Sequence, residues 1–190
     1  MNRLLISFIA FLGLTIAANA QCATGYTQLS NVFACQLVGF NVGYTTTPTA
    51  SAETPALTYV LANGPYTMPQ AGAIQSVSVY LTGAVTGILG VYDATGSGGK
   101  PGALIATTAS TSLVAGWNTV ATTTHPSLTS GEVFWPVVLG TAGTSVPLER
   151  DYVSGTYYYD TSGNSVLPSS YGTATVGNTG EAWGLYATFQ

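Results

Sequence analysis

Charge is what this chain has least of. It carries three Lys or Arg, seven Asp or Glu and one His, so charged side chains make up only 5% of it, against about 25% in an ordinary soluble domain. One cation, Arg3, lies in a segment read below as a leader, which leaves Lys100 and Arg150. Two cations cannot neutralise a run of phosphates, so no nucleic-acid partner is expected. An anionic membrane surface is disfavoured for the same reason. Disorder is a poor reading as well, because 46% of the residues are hydrophobic and 11% aromatic, whereas disordered chains are charged and poor in aromatics.

Catalytic material is equally scarce. His125 is the only histidine and sits in a Thr-Thr-Thr-His-Pro turn, with no Gly-x-Ser-x-Gly elbow for it to serve. The acids are Glu53, Asp93, Glu132, Glu149, Asp151, Asp160 and Glu181. Their spacing singles out no pair able to flank a glycosidic bond. The chain is therefore read as non-catalytic. Helical periodicity is missing too: no amphipathic 3.6-residue pattern occurs anywhere.

What is present is β. Residues 88–139 read I-L-G-V-Y-D-A, a turn G-S-G-G-K-P-G, then A-L-I-A-T-T, A-G-W-N-T-V and L-T-S-G-E-V-F-W-P-V-V-L. These are apolar, β-prone runs separated by Gly, Pro, Asn and Ser. Residues 74–81 alternate, with Val77, Val79 and Leu81 on one face and Ser76, Ser78 and Tyr80 on the other. Near the end Trp183, Leu185, Ala187 and Phe189 form another one-sided row. Short strands with frequent turn signals predict an all-β fold, a two-sheet antiparallel β-sandwich of jelly-roll-like topology. Residues 160–171 read as turn-rich.

The first residues read as an address. Arg3, the apolar run 4–16 and Ala18-Asn19-Ala20 match a secretory signal peptide over residues 1–20. The run is shorter than the ~18 residues that suggest a membrane span, and no later segment approaches one. The expected organisation is a leader (1–20), an N-terminal arm (21–38) and a sandwich domain (39–190), in a protein that is secreted or held at the cell surface. Cys22 and Cys35 are the only cysteines. In an exported chain an even pair reads as a disulfide, here closing a short loop worth ~3 kcal/mol.

The motifs Tyr92-Asp93, Pro101-Gly102 with Leu104 and Ala106, Gly116-Trp117-Asn118, and Leu128, Gly131 and Trp135 resemble those of secreted jelly-roll domains akin to carbohydrate-binding modules of bacterial surface proteins. Phe134 stands where that pattern usually has Tyr. The resemblance covers about residues 39–189 and implies a glycan-binding or adhesive role at the cell surface. Candidate ligand-binding residues are Trp117 and Asn118 in the turn, with Tyr157, Tyr158 and Tyr159. Strand alternation sets Tyr157 and Tyr159 opposite Tyr158, so at least one of them is expected at the surface. Trp135 and Trp183, inside apolar strands, are expected in the core. No cofactor is expected except Ca²⁺, for which Asp93, Asp151 and Asp160, with Glu149 nearby, are candidate oxygen ligands. No Asp-x-Asp spacing supports such a site, and a turn-forming or salt-bridged role for these acids is the favoured reading. The arm (residues 32–38) and the alternating final strand are also similar to fimbrial pilins. That similarity implies the alternative, a subunit of an extracellular filament or surface layer whose partners are copies of itself.

Overall fold

The computed structural model describes residues 26–28, 35–53, 59–141, 145–161 and 163–190. The chain divides into two compact units, Met1–Val38 and Gly39–Gln190. In the first, β1 (Tyr26–Gln28) pairs antiparallel with β2 (Cys35–Leu37), Tyr26 opposite Leu37. The expected leader, Cys22 and the side chain of Cys35 lie outside the described residues, and the expected disulfide with them.

The second unit is the expected two-sheet antiparallel sandwich. Its front sheet runs β17 (Ala182–Trp183), β14 (Leu148–Asp151), β7 (Gly72–Leu81), β18 (Leu185–Phe189) and β3 (Phe40–Tyr44). Further strands β11 (Gly116–Ala121) and β12 (Ser127–Leu128) pair with β7, and β4 (Ser51–Glu53) pairs with β14. The back sheet runs β10 (Thr111–Leu113), β8 (Val85–Asp93), β13 (Val133–Gly140), β5 (Val60–Gly64), β15 (Thr156–Asp160) and β16 (Thr175–Thr179). Here β6 (Tyr66–Thr67) pairs with β13, and β9 (Leu104–Thr107) with β8. The chain passes from sheet to sheet at most connections, and the first and last strands of the unit, β3 and β18, lie side by side. That wrapping is the jelly-roll-like feature. No helix among the described residues is long and apolar enough to cross a membrane.

Strand periodicity explains the core. Val77, Val79 and Leu81 of β7 and Leu185, Ala187 and Phe189 of β18 point inward, at 1% exposure or less. They meet Leu89, Val91, Phe134 and Val138 of the back sheet. The continuous apolar run of β13 needs a second covering, since Trp135, Val137 and Leu139 face away from that core. The strap of residues 163–174 supplies it. Leu167 and Tyr171 pack with Val60, Ala62, Ile88, Tyr92, Trp135, Val137 and Leu139 in a second apolar layer. The Tyr171 hydroxyl lies 2.6 Å from the Val60 carbonyl, and Tyr92 donates to the Pro168 carbonyl at 2.6 Å. Trp135 and Trp183 are both buried, at 2% and 3% exposure.

Polar groups are also locked between the sheets. Arg150 of β14 meets the buried Glu181 carboxylate at 2.8 Å. Asn63 of β5 donates to the Glu181 carbonyl at 3.2 Å, and its side-chain oxygen accepts from the Trp183 amide and the Tyr66 hydroxyl. Such a network joins front and back sheets through buried hydrogen bonds.

Candidate functional site

The outward face of the front sheet gathers the aromatic residues that the core does not use. In the ladders, Trp117 of β11 stands opposite Tyr80 of β7, and Thr119 opposite Ser78. On the other side of β7, Tyr186 of β18 stands opposite Ser78. Trp117 and Tyr186 therefore come from strands flanking β7 and can meet only by passing over it. The small side chain of Ser78, fully buried, leaves that room. The rings meet at 5.1 Å between centroids, and Tyr80 presents an edge to Trp117 at 5.6 Å with planes 66° apart. All three rings are half-buried. Tilted and edge-on contacts are the arrangement that the ring quadrupoles favour.

Two glycines make the close packing workable. A Cβ on Gly43 would stand 2.5 Å from the Tyr186 Cα, and φ there is +139°. A Cβ on Gly184 would stand 2.6 Å from the Tyr80 Cβ and 3.0 Å from Pro48. The loop of residues 45–50 forms the rim. Trp117 Nε1 donates to Thr47 Oγ1 at 3.0 Å, which fixes the indole. Asp151 holds that loop: its carboxylate accepts Tyr44 Oη at 2.6 Å and the amides of Thr49 and Ala50 at 2.9 and 3.1 Å. The phenol first, then the Thr49 amide, hold this carboxyl below the usual carboxylate range, while the same bond pushes Tyr44 up.

Beyond the rings the face is polar. Thr119 and Ser78 share a 2.8 Å hydrogen bond, and Thr188 donates to Asn41 at 2.9 Å. Ser76 Oγ and the Asn41 amide nitrogen have no partner among the described residues. The arrangement offers flat apolar rings bordered by hydroxyl and amide groups, with no charged side chain among the residues that form it.

The other candidates from the sequence fall elsewhere. Asn118 closes its own turn: it donates to the Val114 and Gly116 carbonyls at 2.7 and 3.0 Å and accepts the Val114 amide at 2.9 Å. Both amide protons are engaged, so Asn118 is a turn lock. Tyr157 and Tyr159 do lie opposite Tyr158, but none of the three is exposed. Tyr157 packs edge-on against Trp183 at 5.5 Å, and Tyr159 stacks on Tyr59 at 5.4 Å. Tyr158 meets Trp135 at 5.3 Å under Lys100. All three are half-buried, where a fully exposed ring was expected: Tyr158 packs with the strap residues Leu167 and Tyr171, and Tyr157 and Tyr159 pack against the inter-sheet core.

Nor does the fold bring the acids together. Asp93 ends β8, where its Oδ1 accepts Thr95 Oγ1, the Thr95 amide and the Ala103 amide at 2.6, 3.0 and 2.7 Å. Burial alone would push this carboxyl up, but the Thr95 and Ala103 bonds outweigh it and hold it low. Asp160 ends β15, is 1% exposed and accepts from Asn164 at 3.0 Å. Asp151 lies in the front sheet. Among the described residues no group of three His, Cys, Asp or Glu could hold a metal ion. Asp93, Asp151 and Asp160 are thus a turn cap, a loop anchor and a buried acceptor, and the fold does not bring these three candidate oxygen ligands together.

Sequence reasoning missed Tyr80 and Tyr186 as partners of Trp117. The signal was there: Tyr80 shares a face with Ser76 and Ser78, and Tyr186 falls opposite the row from Trp183 to Phe189. Comparison with protein-family models, curated proteins and solved structures finds no match.

Proposed function

We propose that this is an exported, non-catalytic sandwich that binds polysaccharide at the cell surface through Tyr80, Trp117 and Tyr186. The observation that carries the reading is the placing of these rings on one outward sheet face with hydroxyls and an unpaired amide beside them. Sugars present apolar C–H faces that stack on rings, and their hydroxyls take the neighbouring polar groups. The charge in the rim, the Asp151 carboxylate, is engaged by the Tyr44 phenol and two amides, which suits a neutral glycan, so binding should change little with salt. The test is retention on insoluble polysaccharides and a glycan array. Trp117→Ala should weaken binding tenfold or more, while Leu167→Ala, on the opposite sheet, should leave affinity for a neutral polysaccharide intact in the folded fraction. Equal retention of wild type and Trp117→Ala would sink the reading.

A second reading, assembly into a filament or surface layer, rests on β16. Among the described residues it pairs only with β15, at the end of the back sheet, and all five of its residues are exposed. An open edge is a template for a strand from another copy. Size-exclusion chromatography over rising concentration tests it, and a stable monomer throughout rules it out.

A further inference from the structure

A cleft of about 440 Å³ opens between the hairpin turn after β8 and the strap, on the side of the molecule away from the ring platform. Hydroxyls of Thr95, Ser97, Ser170 and Thr173 line it together with Lys100, and no Asp or Glu is among its lining residues. Lys100 is the only lysine in the chain. The other cation among the described residues, Arg150, is neutralised by Glu181 at 2.8 Å. Among the described residues Lys100 has no such carboxylate partner. Its ammonium lies 3.4 Å from the Ala174 carbonyl, part of the cleft wall, and 5.3 Å from the centre of the Tyr158 ring. That ring is braced by Trp135, whose Nε1 donates to the Gly99 carbonyl at 3.0 Å. The lysine is therefore held in place by an aromatic base and one carbonyl. An ammonium has three N–H donors, so two remain for a ligand.

From this geometry we infer that the cleft binds the carboxylate of an acidic sugar residue, of the uronic-acid class, independently of the ring platform. One fixed positive charge matches one carboxylate, and the surrounding hydroxyls match the hydroxyls of the sugar. A phosphate dianion fits less well. It calls for a bidentate guanidinium or several cations, and the chain's net charge of −4 works against a second negative charge.

The test titrates the expressed chain by NMR with galacturonate, galactose and inorganic phosphate. Galacturonate should bind saturably, shift the resonances of residues 95–103 and 170–174, and weaken as salt is raised. Lys100→Met keeps the aliphatic stem and should bind about tenfold or more weakly, the scale of one lost charge-assisted hydrogen bond. Lys100→Arg should retain binding, and Trp117→Ala should bind galacturonate as the wild type does. Galactose binding as tightly as galacturonate overturns the inference, as does phosphate binding more tightly. So does a Lys100→Met variant with wild-type affinity. Should Lys100→Met fold poorly, loss of galacturonate binding by a well-folded Lys100→Arg overturns it instead.

Discussion

Tyr44 donates its phenol proton to Asp151 at 2.6 Å, joining residues 107 apart in sequence. This bond and the Thr49 and Ala50 amides on the other carboxylate oxygen hold the loop that carries Thr47, the partner of the Trp117 indole. An acid in one strand thereby orients an aromatic ring two strands away in the same sheet. Asp151→Ala should cost about 0.5–1 kcal/mol in a urea melt, a modest figure because the group is largely exposed. Its effect on polysaccharide affinity should be larger than that stability loss, because the rim of the platform is released. Asp151→Asn keeps an acceptor for the Thr49 and Ala50 amides and should lie between Ala and wild type.

Stability should have an acid limb and an alkaline limb. The carboxyls of Asp93 and Asp151 titrate below the usual range in the fold. Their contribution is complete above the unfolded value of about 3.9 and is lost as pH falls through the lower folded values. Tyr66, Tyr92 and Tyr171 are pushed up, chiefly by burial. The unfolded chain releases those phenol protons first, so stability falls as pH rises above about 10. Thermal melts should be flat from mildly acidic to neutral pH and fall at both ends. A double Asp93→Asn, Asp151→Asn variant should show a shallower acid limb.

The pair Arg150–Glu181 is enclosed, with side chains 17% and 2% exposed. Glu181→Leu removes a buried acceptor of both Arg150 and Asn178 and should cost about 3–5 kcal/mol. Replacing both, Arg150→Met with Glu181→Leu, should recover much of that loss. Urea denaturation of the singles and the double measures the coupling directly.

The strap can be loosened without touching the platform. Leu167, 8% exposed, fills the second apolar layer, and Leu167→Ala should cost about 2–4 kcal/mol. A dye that fluoresces on apolar surface should bind the variant more than the wild type. Retention on polysaccharide by the folded fraction should be unchanged, because the rings are on the other sheet.

Much of this architecture is legible in the sequence, because strand alternation is a local signal. Val77, Val79 and Leu81, and again Leu185, Ala187 and Phe189, announce their inward faces. Trp117 stands out as an aromatic ring in a turn motif. What could not be read is which faces meet over long separations. Tyr186 joins Trp117 only through the pairing of β18 and β11 with opposite edges of β7. The tyrosines of β15 resemble an exposed patch until residues 163–174, apparent turn material, fold across Tyr158, while Tyr157 and Tyr159 turn toward the inter-sheet core. The acids mislead for a related reason. Asp93, Asp151 and Asp160 look like spare oxygen ligands because the amides and hydroxyls they accept from are placed by the fold.

The partnership of β3 with β18 carries a consequence for biosynthesis. The strand that arrives last, Leu185–Phe189, is an inner strand of the front sheet, bonded to β7 on one side and β3 on the other. Until it leaves the ribosome, β3 lacks its one sheet neighbour among the described residues. A nascent chain must stay open until those residues are made, and a product terminated just short of them would carry nearly all the sequence and lack a finished front sheet.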